Sequence, residues 1–205
     1  MRHAKALFAV IAAIAVLGAL VGSASASRLS LSSSTWRVTF AALTFEIREG
    51  FNAATCAVTL EGSFHARSIV KRAGTLIGYV NRAATGPCTF RTAATLLTET
   101  LPWHVRYESF AGTLPNITAV EIGIVGLGMK IKGINETICL TITTEREPLR
   151  LRLARETLSR ALVEAEAEGE THTWENCLFA PGRFIGRSGG VSVQGSTARI
   201  TVTLI

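Results

Sequence analysis

Between Pro102 and Pro115 the chain carries Trp103, His104, Arg106, Tyr107 and Glu108, its densest mixture of aromatic and ionisable side chains. Such a set can hold a polar ligand through donors, acceptors and ring faces, or move a proton through His104 or Glu108. In an extended strand, successive side chains point to opposite faces. Trp103, Val105 and Tyr107 therefore share one face, expected in the core, while His104, Arg106 and Glu108 share the other. Alternate residues on one strand face stand about 7 Å apart. That spacing suits a ligand with regularly placed polar groups, such as a glycan or an anionic cell-envelope polymer.

The chemistry open to these residues is narrowed by what the rest of the chain lacks. All 15 acidic residues are Glu and none is Asp, which excludes an EF-hand loop, an aspartic dyad and a Ser-His-Asp triad. No G-x-S-x-G elbow is present, and His65, His104 and His172 stand near no recognisable nucleophile. Gly126 and Gly128 lack the third glycine and the helix that a dinucleotide fingerprint requires. One enzymatic option remains, a glycan hydrolase using Glu99 and Glu108, whose carboxylates would have to stand about 5 to 10 Å apart. The expectation is a non-catalytic binding or surface-interaction module; the alternatives are a structural cell-envelope protein with no ligand and that hydrolase. No cofactor and no metal are expected.

Met1 to Ala26 reads as a cleaved secretory signal peptide: Arg2, His3 and Lys5 precede an apolar run from Ala6 to Val21, and Ala24-Ser25-Ala26 fits the cleavage pattern. Removing these 26 of 205 residues leaves 27–205, enough for one domain with a substantial core and no transmembrane segment. The formal charge falls from +6 to +4 without Arg2 and Lys5. No basic patch or module dense enough for nucleic acid appears. Arg146, Arg150, Arg152 and Arg155 form a local basic strip, expected to be a soluble face or an edge strand guarded by charge. Arg is plentiful and Lys scarce, a bias that reads as GC-rich coding and a bacterial source. A secreted or cell-surface location follows from the signal segment.

An exported chain with Cys56, Cys88, Cys139 and Cys177 is expected to carry two disulfides. Gaps of 31, 50 and 37 residues, with no C-x-x-C knuckle, argue against a tetrathiolate zinc site. The pairing expected is Cys56 with Cys88 and Cys139 with Cys177, each enclosing local hairpins.

From Thr35 onward the apolar residues alternate, as strands with one buried face require. Trp36, Val38 and Phe40 fall on one side; Cys56, Val58, Leu60, Gly62 and Phe64 share another strand's buried face, leaving His65 to solvent. Ile77 and Tyr79 are expected on a common face, Gly86-Pro87 as a break, and Thr141 and Thr143 opposite Ile138, Leu140 and Ile142. Leu149 to Glu168 fits two periods: Leu149, Leu151 and Leu153 alternate as in a strand pair, while Leu151, Ala154, Leu158, Leu162 and Ala165 keep helical spacing. The whole predicts an all-β, antiparallel two-layer sandwich or flattened barrel of short strands, with room for one short helix within 149–168.

Overall fold

The computed structural model describes residues 28–47, 54–89, 93–132, 138–174 and 182–205. They form fourteen strands: β1 Arg28–Leu31, β2 Thr35–Ile47, β3 Ala54–Phe64, β4 Ser68–Val70, β5 Thr75–Thr89, β6 Ala93–Leu96, β7 Trp103–Thr113, β8 Asn116–Val125, β9 Gly128–Lys132, β10 Ile138–Ile142, β11 Leu149–Arg155, β12 Leu162–Trp174, β13 Gly182–Ser192 and β14 Val202–Leu204. Among the described residues there is no α-helix; a single 3-10 turn occupies Thr98–Thr100.

Eight strands run in the order β11-β8-β7-β5-β3-β2-β13-β12, and β12 pairs back onto β11 to close a barrel. Every pairing is antiparallel. Of the two layouts the alternation allowed, closure selects the barrel. Beyond the far end of β12 the sheet continues through β10, β9 and β6. A separate sheet, β14-β1-β4, joins the segments that flank β2, β3 and β13 at one rim. It caps the barrel there, because Leu29, Leu31, Ile69, Ile200 and Val202 are buried in the same apolar cluster as the barrel interior.

The alternation in the sequence is what builds the wall. Trp36, Val38, Phe40, Phe45, Leu60, Trp103 and Phe184 turn inward and fill the barrel with side chains. On β2 and β3 outward positions include polar pairs: Thr39 faces Thr59 and Thr44 faces Thr55. Lipid-facing barrels have the opposite polarity, apolar outside and polar within. No helix among the described residues is long and apolar enough to cross a membrane.

Four expectations change. The helical option in 149–168 is replaced by a strand pair: Leu149, Leu151, Leu153, Ala165 and Ala167 are buried, whereas Leu158, which a helix would have packed, is 95% exposed at the turn. Strands are not uniformly short, since β5 continues for 15 residues through Gly86-Pro87. There the two strands fall out of step between Cys56/Cys88 and Val58/Thr85, a bulge that lets the proline be accommodated without ending the strand. Tyr79 leaves the face of Ile77 because another bulge falls between Leu76 and Gly78. A side chain at Gly78 would meet the Ser63 carbonyl at 2.2 Å, so only glycine lets β3 and β5 approach here. Finally, Thr141 and Thr143 are buried while Leu140 and Ile142 are half-buried, reversing the expected polarity. The Thr143 hydroxyl donates to the Ile124 carbonyl at 3.0 Å and accepts the Leu127 amide at 3.0 Å, which satisfies the backbone where β8 turns into β9.

Cys56 and Cys88 are directly opposed on β3 and β5 and form the expected disulfide. This excludes a zinc site made by all four thiolates. The second expected pairing, Cys139 with Cys177, and the signal segment 1–26 lie outside the described residues.

Two measurements check this architecture. By chemical denaturation, Leu151→Ala should cost about 2 to 5 kcal/mol, whereas Leu158→Ala should stay within about 0.5 kcal/mol of the parent; comparable losses would restore the helical reading. Replacing Cys56 and Cys88 together by Ala should cost roughly 3 to 4 kcal/mol, the entropy of the released loop.

Candidate functional site

Most of the residues proposed from the sequence lie on β7, and the wall divides them. Trp103 and Tyr107 are 1% and 2% exposed and face the barrel interior, while His104 faces solvent. The Trp103 indole donates to the Thr100 hydroxyl at 2.7 Å, and that hydroxyl donates to the Leu97 carbonyl at 2.7 Å. The 3-10 turn before β7 thus satisfies the indole and fixes its ring inside. Burial pushes the Tyr107 phenol above its ordinary value, and the Glu121 carboxylate adds to the effect. Neither ring meets a ligand arriving at the outer wall.

Outside, Arg106 and Glu108 are half-buried and engaged with each other at 3.2 Å. Arg106 also donates to the Glu145 carbonyl at 2.8 Å. Glu108 lies over Gly123, where a Cβ would stand 2.5 Å from its carboxylate and 3.1 Å from Pro148. The pair therefore fastens the 145–148 turn onto the sheet, a role that spacing along one strand cannot reveal. Glu99 sits in the 3-10 turn before β7, while Glu108 stands on β7 itself.

His104 has partners the sequence did not suggest. In register it is opposite Tyr79 on β5. Their ring centroids are 5.6 Å apart in an edge-to-face contact, and His65, just beyond β3, packs on the other side of Tyr79 at 5.0 Å. Three rings from three neighbouring strands thus form a continuous ridge on the outer wall. Polar and apolar groups flank it: exposed Asn81 donates to the Ser63 hydroxyl at 2.9 Å, and Leu76 is partly exposed opposite Arg106. The clue in the sequence was the exposed parity of His65; what hid the ridge was the bulge that turns Tyr79 outward.

Of the arginine strip, Arg152 is paired, while Arg146, Arg150 and Arg155 form no ion pair among the described residues. Arg152, Glu166 and Arg187 stand opposite one another on β11, β12 and β13, with Glu166 bridging at 3.3 and 3.0 Å. Arg183 pairs with Glu168 beside them at 2.5 Å. Across β2, β3 and β5, Glu61 is 5% exposed and is held by Arg37 at 2.5 Å, Gln194 at 2.9 Å and Arg82 at 3.6 Å. Burial alone would raise its pKa, but the hydrogen bonds from Arg37 and Gln194 and the two guanidinium charges outweigh burial and hold it below 4.5.

Comparison with protein-family models, with curated proteins and with solved structures finds no match to this chain. Fold and site define it as an antiparallel β-barrel whose interior is filled by apolar side chains and whose outer wall carries a histidine-tyrosine ridge.

The Glu61 cluster yields a signed pH dependence. A carboxylate whose pKa is lowered by folding adds stability that is complete above its ordinary value of 4.5 and lost as the pH falls through its lower folded value. Thermal melts of Glu61→Gln against the parent should therefore show a smaller stability difference below pH 4 than at pH 7. A difference that is constant with pH would show that the charge of Glu61 plays no part.

Proposed function

We propose that the protein is an exported bacterial surface module that binds a polar polymer, a glycan or an anionic envelope polymer, without catalysis. The observation that supports this reading is the ridge of His65, Tyr79 and His104, with centroids 5.0 and 5.6 Å apart across three strands. Solvent-facing rings with polar tips offer a ligand both apolar contact and hydrogen bonds. Asn81 beside them and the half-buried Arg106 supply further donors. The signal segment and the Cys56–Cys88 bridge accord with export, since such bridges persist in oxidising compartments. The core of the contact region is His104 with its two neighbours; Arg106 and Glu108 border it and owe part of their geometry to the 145–148 turn.

A second reading, a structural envelope protein with no ligand, draws on that same Arg106–Glu108 pair, whose partners already give it a structural role.

Replacing His65, Tyr79 and His104 together by Ala separates the two. Binding to isolated cell envelope and to soluble glycans should weaken at least tenfold while the melting temperature shifts by no more than a few degrees, as expected for surface positions. Equal binding by parent and variant would refute the ridge as a contact region. Turnover of a glycan by the parent, abolished in Glu99→Gln or Glu108→Gln, would refute the non-catalytic claim.

A further inference from the structure

The charges of this protein are sorted. On the barrel wall six arginines are matched, Arg152 and Arg187 to Glu166, Arg183 to Glu168, Arg37 and Arg82 to Glu61, and Arg106 to Glu108, while Arg150 on β11 forms no ion pair among the described residues. The capped end is different. The segments that build it, 28–34, 65–74, 156–161 and 195–205, contain Arg28, Arg67, Lys71, Arg72, Arg160 and Arg199 against one carboxylate, Glu156. Among the described residues none of the six cations forms an ion pair, and the Glu156 carboxylate accepts from the Ser159 hydroxyl. Lys71 instead lies 5.5 Å from the Phe110 ring centroid.

Apolar side chains are interleaved with these charges. In the β14-β1-β4 sheet, Arg28 is opposite Val70 and exchanges two backbone hydrogen bonds with Ile205, so an outward row reads Ile205, Arg28, Val70. Both apolar members are exposed. Leu158 is 95% exposed at the tip of the β11–β12 turn. That turn is fixed rather than loose: the Arg160 amide donates to the Glu156 carbonyl at 2.9 Å, and the Val202 amide donates to the Arg160 carbonyl at 3.1 Å. The Leu158 side chain is thus presented beside the cap by a turn anchored to it.

We infer that this end of the barrel docks on a lipid bilayer carrying anionic headgroups. Unmatched cations gain from a negative surface, each by about fivefold in partition. A soluble polyanion would satisfy the cations but would offer nothing to Leu158, Val70 and Ile205. An interface between headgroups and acyl chains accepts both kinds of side chain at once. The surface adjoins the ring ridge at His65, but its cations and Leu158, Val70 and Ile205 are none of the three rings, so substitutions at either set test one reading without the other.

The test uses the chain from Ser27 onward, which contains every strand described, and co-sedimentation with vesicles of phosphatidylcholine alone or mixed with phosphatidylglycerol. Binding should require phosphatidylglycerol and weaken as salt is raised. Arg28→Gln, Arg160→Gln and Arg199→Gln together should lower the partition coefficient about a hundredfold, and Leu158→Ser about tenfold, with unchanged circular dichroism melts in both. Arg152→Gln and Arg187→Gln on the wall should leave partition within about twofold of the parent. Equal binding to both kinds of vesicle, or no binding to either, would overturn the inference. So would a Leu158→Ser protein that partitions as the parent does, particularly if soluble polyphosphate bound parent and variant alike, since that would make the end a polyanion site and not a membrane one.

Discussion

The pairing of β11 with β8 on one side and β12 on the other is the contact on which the barrel depends. A sheet that leaves an edge open exposes a row of unpaired amides and carbonyls, and closure abolishes that edge. Six consecutive residues of β11, Leu149 to Ala154, find partners on β8, and β12 takes up the opposite edge of the same segment. Leu149, Leu151 and Leu153 seal the apolar interior while Arg150 and Arg152 turn outward. This is why the stretch cannot be a helix. The three leucines would have to spread round a helical surface, and the closing pair would be lost on both sides.

Closure also fixes what the outer wall can do. Strands in a barrel are tilted and staggered, so side chains on neighbouring strands meet in rows set by register. One such row brings His104 beside Tyr79, and Tyr79 beside His65. Another brings Arg152, Glu166 and Arg187 into line. The first remains open to solvent, and the second is consumed by its own charges. Exposed ion pairs of this kind add little stability each, but they remove the arginines from any long-range attraction. The β14-β1-β4 end keeps six cations that form no ion pair among the described residues.

How much of this was legible depends on whether a feature is carried by one strand or by two. The inward faces of β2 and β3 were readable because period two needs no partner: Trp36, Val38, Phe40, Cys56, Val58 and Leu60 are all buried as the alternation requires. The Cys56–Cys88 disulfide was readable because the expectation of export and the cysteine spacing together limit the choices. What failed were properties set between strands. Bulges at Gly78 and at Gly86-Pro87 shift parity without any change in composition. Thr141 and Thr143 are buried because a neighbouring corner needs hydrogen bonds, and nothing within their own strand announces it. Glu61 shows the same limit: it alternates with the inward Leu60, yet Arg37, Arg82 and Gln194 close over it from separate elements. The proposed stripe was divided in the same way, since Arg106 and Glu108 answer to the 145–148 turn while His104 answers to β5.

Curvature bears on the choice between binding and catalysis. Outward side chains on a convex wall diverge with distance from the backbone, so groups on neighbouring strands do not converge on one reacting atom as an active site demands. The concave side of the same sheet is filled by Trp36, Trp103, Phe40, Phe45 and Phe184, and its titratable Tyr107 is kept neutral there by burial. Of Glu99 and Glu108, the pair best suited by type to glycan hydrolysis, Glu108 is engaged by Arg106. Divergence is no handicap for recognising an extended polymer, which needs a line of contacts and no focus. A three-ring ridge along the wall meets that requirement, and the same convexity that disperses catalytic groups leaves the ridge accessible along its whole length.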